Sequence, residues 1–192
     1  MRICLLNAHP DPAPARFCHA LSDAYQEGAQ AGGHAVTRFD LGALPVAVLQ
    51  SAAAFAEPPS PEVRAVQDAL SAAGHFVMIY PLWLGTLPAA SKAFLEQLAR
   101  ANFLIETAAE SQTWPQRKMT GKSARLIVTM GMPGFAYRLF FRSHSLRALE
   151  AGVLGLSGFK PVRDTVFGGV ELGAERRSRF LDRARALGVK AL

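Results

Sequence analysis

The chain has 192 residues, of which 50% are hydrophobic and 19% charged, with a formal charge of +6. Such a composition excludes intrinsic disorder and fits one α/β domain spanning residues 1–192, large enough to bury its own core. The positive excess favours anionic small-molecule partners, but Lys and Arg are scattered rather than massed, so no nucleic-acid partner is expected.

The first element is RICLLN, a short buried strand ending at Asn7. One Arg and so brief an apolar run do not make a secretory signal. Cys4 and Cys18 have no CxxC spacing, which argues against a disulfide framework or a Cys-based zinc site; no metal site is expected. The loop AHPDPAPARF follows, with three prolines. A helical pattern then begins at Phe17, continues through Leu21, Ala24, Tyr25 and Gly28, and stops at Gly32-Gly33. HAVTRFDL is a second strand. In a strand–loop–helix–strand unit, the first loop and the helix N-terminus present free backbone N–H groups, a natural anion site. His9 and Arg16 add polar and cationic groups there, although a lone histidine after a strand also serves as a turn or capping residue. Residues 42–59 read as a loop with one helical turn. Ser60-Pro61-Glu62 then opens a helix with a cap, a first-turn proline and a first-turn acid; Val63, Val66 and Leu70 face inward and Gly74 closes it.

The stretch from His75 to Phe103 organises the chain. HFVMIY suits a strand buried on both faces, ended by Pro81, which lacks a donor. Pro88 fits the first turn of a helix in which Leu87, Ala90, Phe94 and Leu98 recur on one face, with Glu96 and Arg100 four apart on another. The loop between them carries Leu82, Trp83 and Leu84. It is too apolar for an idle surface turn and suits either a flat apolar ligand or a neighbouring subunit. The apolar run from Phe76 to Ala90 is broken by Pro81, Gly85 and Pro88 and falls short of the roughly 18 residues of a spanning helix, so no membrane insertion is expected and the protein reads as soluble and cytoplasmic.

After Phe103 the chain is polar and irregular as far as Ser123. Gly121-Lys122-Ser123 has the look of a phosphate-loop tail. However, Gln116 stands where that motif needs its first glycine, and a strand follows instead of a helix. ARLIVTM is the fourth strand and ends in a turn of Gly131, Pro133 and Gly134. A helix is predicted from Phe135, and the seven-residue spacing of Tyr137 and His144 places both on one face of it. Ser157-Gly158 breaks the chain, FKPVRDTVF is a fifth strand, and Glu171 to Leu192 form an Arg-rich amphipathic helix with Phe180, Leu181, Ala184 and Leu187 inward. Five strands alternating with helices predict a flavodoxin-like three-layer α/β/α sandwich around a five-stranded parallel sheet. The loops after strands one, three and four then meet at its ligand-binding edge.

Three pieces carry a resemblance to a known family. They are Asn7-Ala8-His9-Pro10-Asp11-Pro12 with Phe17; Tyr80-Pro81-Leu82-Trp83 with Gly85-Thr86 and Pro88; and Val128-Thr129-Met130-Gly131 with Tyr137 and His144. Gly155-Leu156-Ser157-Gly158-Phe159 adds a fourth. Together they resemble the flavodoxin-like NAD(P)H:quinone oxidoreductases, the DT-diaphorase family with its short bacterial relatives, over nearly the whole chain. The resemblance implies a homodimer that passes hydride from NAD(P)H to a bound flavin, FAD or FMN, and on to a quinone or similar flat acceptor. It implies that His9 and the backbone of Ala15 to Cys18, including Arg16 and Phe17, hold the flavin phosphate. Pro81, Leu82, Trp83, Leu84 and Gly85 would lie along the ring, with main-chain N–H groups aimed at its heteroatoms. Thr129 and Gly131 would touch its pyrimidine end, and Tyr137 and His144 would answer charge on the reduced ring. Two departures stand out: Arg16 occupies a place where relatives often carry a small hydroxyl residue, and Leu84 one where they often have a second tryptophan. Other members of this fold serve as ancillary subunits of potassium efflux systems, a regulatory alternative to an enzyme. A flavodoxin-type electron carrier is disfavoured by the lack of an acidic surface.

Overall fold

Five of the six residues of β1 (Arg2–Asn7) are buried in succession, as expected of a strand covered on both faces. The computed structural model describes residues 1–106 and 115–191. After β1 come α1 (Phe17–Ala31), β2 (Ala35–Asp40), α2 (Pro61–Ala72), β3 (His75–Pro81) and α3 (Ala89–Leu98). The remaining elements are β4 (Ile105–Glu106), β5 (Gln116–Arg117), β6 (Ser123–Met130), α4 (Gly134–Phe140), α5 (His144–Arg147), β7 (Val162–Gly168) and α6 (Ala174–Lys190). The main sheet has the order β2-β1-β3-β6-β7 and is parallel throughout, the doubly wound arrangement predicted from the alternation of elements. Side-chain alternation divides the core into two layers. Ile3, Leu5, Val77 and Ile79 face α1 and α6, while Cys4, Leu6, Phe76 and Met78 face α2, α3 and the segment after β6.

Local signals set most boundaries where the sequence places them. The Ser60 hydroxyl accepts from the Val63 N–H at the start of α2, and α1 ends on Gly32 with Gly33 in the left-handed region. Other expectations need correction. Pro81, the last residue of β3, does not stop the pairing: it stands in register with Thr129, and the Leu82 N–H continues the ladder to the Thr129 carbonyl at 2.8 Å. Successive strand N–H groups point to opposite sides, so the missing proline donor costs nothing on the β6 side. Pro88 caps α3 instead of entering it, and Arg100, beyond the helix end, turns to Glu57 while Glu96 pairs with Lys92. Part of the segment after Phe103 forms the antiparallel pair β4–β5; residues 107–114 lie outside the described residues. The single helix expected from Phe135 is three pieces. Arg142 and Ser143 adopt left-handed φ values of 47° and 52° between α4 and α5, and a π-helical run, Ala148–Gly155, follows α5.

Two stability predictions arise here. A methyl on Gly28 would stand 2.0 Å from the Arg185 carbonyl oxygen, because α1 and α6 approach backbone to backbone at this point. Gly28→Ala is therefore expected to lose about 3 kcal/mol in urea denaturation despite its better helix propensity. An unchanged midpoint would mean that α6 shifts freely. In the opposite sense, the Tyr80 hydroxyl is fully buried and has no hydrogen-bond partner among the described residues. Tyr80→Phe removes an unsatisfied group and is expected to stabilise by about 1 kcal/mol; a lower melting temperature would contradict this.

Candidate functional site

The loops after β1, β3 and β6 are tied to one another at the carboxyl edge of the sheet. The Cys18 thiol lies 3.5 Å from the Thr129 hydroxyl, which joins the start of α1 to the end of β6. Leu82 reaches the same residue through its N–H. Ser91, buried in α3, donates to the Ala8 carbonyl at 2.6 Å, and the His9 ring meets the Trp83 ring edge-on with centroids 5.7 Å apart. Long-range contacts thus hold all three predicted loops in one place.

The first loop leaves donors unpaired among the described residues. No side chain caps α1, and the N–H groups of Phe17 and Cys18 have no acceptor within the described residues. Burial holds the His9 pKa below its ordinary value, so its ring is neutral. Its Nδ1 accepts from the Asp11 N–H at 3.1 Å, which places the ring proton on Nε2 as a spare donor. Arg16, at the helix entrance, is held by Asp11 at 2.6 Å, and Asp11 also accepts from the Ala13 N–H at 2.8 Å. The Ala13 N–H first and Arg16 second hold the Asp11 carboxyl below its usual range. The Cys18 thiol is pushed up to about 12 by burial, so Cys18 offers the site its backbone and no nucleophile.

A polar network behind this loop was not singled out from the sequence. The Asn7 amide donates to Asp40 at 2.7 Å and lies 3.1 Å from His19 Nδ1; its oxygen accepts from the His9 N–H. His19 Nε2 donates to the Asp11 carbonyl, and Arg38 joins Asp40 to Asp23. Every polar atom of Asn7 is used, and the loop is braced against β1 and β2. The available signal was a polar residue at the end of each of two neighbouring strands, Asn7 and Asp40.

The second loop is a two-residue turn. Trp83 and Thr86 exchange both backbone hydrogen bonds, and Leu84 and Gly85 take φ values of 46° and 83°, the signs of a type I′ turn. A leucine here is strained, since Asn or Gly is the usual occupant, and its side chain is fully exposed. The ladder uses the Leu82 N–H and the turn uses that of Trp83, so of the five predicted ring-facing positions only Leu84 and Gly85 keep N–H groups with no acceptor among the described residues. Trp83 is 46% exposed and offers an apolar face. Thr129 is buried, and a methyl on Gly131 would meet the Glu171 carboxyl at 3.6 Å.

Tyr137 and His144 do not share a helix face. The backbone break at Arg142 and Ser143 separates them: Tyr137 is fully buried and His144 is exposed. The Tyr137 hydroxyl lies 2.6 Å from Ser145 Oγ and accepts from the Leu146 N–H at 3.4 Å, and its ring stacks on Phe141. Either hydroxyl, that of Tyr137 or that of Ser145, can donate in the bond they share. Ser145 lines a cleft of about 680 Å³ together with Trp83, Leu84 and Thr86.

Residues 1–189 match a family described as having a flavodoxin-like fold. The chain belongs to that family. Among solved structures, it superposes on an NAD(P)H:quinone oxidoreductase from Methanothermobacter marburgensis with a TM-score of 0.81 at 22% identity, covering 99% of this chain and 96% of that one. It matches an azoreductase from Bacillus anthracis str. Sterne with a TM-score of 0.73 at 18% identity, covering 99% of each chain. An FMN-dependent NADH-azoreductase from Bacillus anthracis str. Ames Ancestor, in complex with FMN, gives a TM-score of 0.74 at 13% identity over 98% of both chains. No curated protein matches the chain in sequence. At these identities the structural matches establish the flavodoxin-like architecture. Among the described residues, no helix is long and apolar enough to cross a membrane.

Proposed function

We propose that this flavodoxin-like protein is a flavin-dependent NAD(P)H oxidoreductase that reduces a quinone or a similarly flat acceptor in the cytoplasm. The observation that carries the reading is the convergence of an uncapped helix N-terminus, a half-exposed Trp83 face and the Thr129 strand end, locked by the Cys18–Thr129 and His9–Trp83 contacts. A bound flavin, FAD or FMN, supplies the two-electron redox centre. The overall balance is NAD(P)H, a proton and a quinone giving NAD(P)+ and a hydroquinone, in ping-pong order.

The chain's own groups divide the work. His9 Nε2, the Phe17 and Cys18 N–H groups and Arg16 would hold the flavin phosphate. The Leu84 and Gly85 N–H groups and the Trp83 face would orient the ring, and Thr129 and Gly131 would hold its pyrimidine end. The groups that would answer negative charge on the reduced ring are the buried Tyr137 with its partner Ser145 and the exposed His144. Tyr137→Phe, Ser145→Ala and His144→Ala are each expected to slow flavin reduction by NAD(P)H about ten- to a thousandfold in stopped-flow experiments, with little change in flavin affinity. Unchanged rates with lower melting temperatures would make the Tyr137–Ser145 pair a packing contact.

The assembly proposed is a homodimer, because Phe135, Leu139 and Phe140 are 71%, 68% and 74% exposed and Trp83 and Leu84 are exposed as well, more apolar surface than a monomer usually shows. Sedimentation equilibrium with a stable monomer at micromolar concentration would contradict this. The functional reading is tested by reconstitution: protein titrated with FMN or FAD should hold nearly stoichiometric flavin and oxidise NAD(P)H when a quinone is supplied. Failure to bind either flavin at micromolar concentration removes the basis of the proposal.

A further inference from the structure

The cleft that Ser145 shares with Trp83 has a single charged residue in its lining, Lys92. Thr86 and Ser145 add hydroxyls, the rest of the lining is apolar, and no acidic side chain stands in it among the described residues. Lys92 lies close to the start of α3, an unfavourable place for a cation. The N-terminal end of a helix carries partial positive charge, and α3 has neither an acid in its first turn nor a side-chain cap to offset it. The pairing of Lys92 with Glu96 compensates little. Lysine before glutamate is the weaker order along a helix, and Lys92 is half exposed, so the pair is largely solvated. Glu96 takes one of the ammonium's donors, and no other acceptor meets them among the described residues. A cation set against its own helix, in a cleft without acids, serves something other than the stability of that helix.

We infer that Lys92 sets the specificity of this cleft by binding an anionic group, phosphate, sulfonate or carboxylate, on a ligand whose flat ring lies at Trp83. The inference rests on the reductase reading of the cleft and deepens it by naming a residue that selects the ligand. Apolar walls hold a ring without choosing among rings; one placed charge chooses, because a charge-assisted hydrogen bond is about twice as strong as a neutral one. The proposed reaction offers two sources of the anion: the phosphates of the hydride donor, or an acidic substituent on the acceptor. Glu96 is the competitor in either case, and a half-solvated pair along one helix is readily given up for a ligand that also covers the Trp83 face.

The test uses flavin-reconstituted protein and oxidised ligands only, so that calorimetry reads binding without turnover. Two pairs are compared: a naphthoquinone with its ring-sulfonated analogue, and nicotinamide riboside with NADP+. Lys92→Met keeps the apolar stem and should weaken the anionic member of at least one pair about tenfold relative to its anion-free partner. Lys92→Arg should keep most of that difference, and Glu96→Gln, which frees the ammonium, should enlarge it. The pair that responds identifies the source, acceptor or hydride donor. Lys118→Met removes the same charge from a lysine that is paired with Glu106 and does not line the cleft, and is the control for net charge. The inference is overturned if neither pair responds to Lys92→Met, including the case in which no anionic ligand binds at millimolar concentration. It is also overturned if both members of a pair weaken equally, since Lys92 then only shapes the wall, or if Lys118→Met has the same effect, since overall charge then explains it. NAD(P)H is added last, with the anion-free naphthoquinone. Absence of reduction removes the reductase reading and leaves the binding result as it stands, whereas turnover without any effect of Lys92→Met on either pair removes the inference alone.

Discussion

Arg16→Ala is expected to weaken binding of the phosphorylated flavins about ten- to a hundredfold, the range for losing one charge-assisted hydrogen bond at a partly solvated site. Arg16 stands at the uncapped start of α1 and is the cation nearest the free Phe17 and Cys18 N–H groups in sequence. In the present geometry its guanidinium is shared with Asp11, so a phosphate must compete with a carboxylate. Asp11→Asn is therefore expected to tighten binding several-fold, because the amide oxygen can still accept from the Ala13 N–H while the competing charge is gone. Riboflavin, which has no phosphate, is the control. Its affinity should ignore both substitutions, and raised salt should erode only the phosphate-dependent part. Fluorescence titration of apo-protein with FMN, FAD and riboflavin measures all three. An equal loss for riboflavin would mean that Arg16 shapes the loop and does not contact the phosphate.

The second large effect is on stability and lies at the opposite edge of the sheet. His75, the first residue of β3, is 1% exposed; its Nδ1 lies 2.7 Å from the Ser123 hydroxyl and its Nε2 has no partner among the described residues. Burial first, and then the charges of Arg125 and Arg163, lower its pKa to about 4 from the ordinary 6.5. The folded state therefore holds the ring neutral where the unfolded chain protonates it. The stabilisation is fully present above the unfolded pKa and is lost as pH falls toward the folded one, at most about 1.4 kcal/mol per pH unit. Urea denaturation is expected to show a total loss of about 3 kcal/mol from this residue between pH 6.5 and pH 4. His9, whose pKa is also lowered by burial, adds to the loss with the same sign. His75→Asn keeps a donor and acceptor near Ser123 but does not titrate, so it should flatten that part of the profile. A variant as acid-sensitive as the parent would place the sensitivity elsewhere.

Much of the architecture is decided locally and is therefore legible in the chain itself. RICLLN, HFVMIY and ARLIVTM are runs too apolar to face water on either side, so they become the central strands, and their ends mark the edge where loops gather. Ser60-Pro61 and Gly32-Gly33 act within one turn of the helix they start or stop. What the chain alone does not determine is how groups far apart in sequence compete for one another. The Tyr137–His144 spacing assumes an unbroken helix, but burial of the Tyr137 ring and its bond to Ser145 go with a left-handed step at Arg142–Ser143, which sends His144 outward. The turn at Leu84 is similar: the exchange between Trp83 and Thr86 holds a leucine in a conformation its own preference resists. The Cys18–Thr129 contact spans 111 residues and the Asn7–Asp40 bond 33, and neither has a periodic signature. Helix and strand periods report which side of an element is buried. Only the closing of the sheet brings a particular donor to a particular acceptor, because that pairing depends on strand order and register, which are properties of the whole chain.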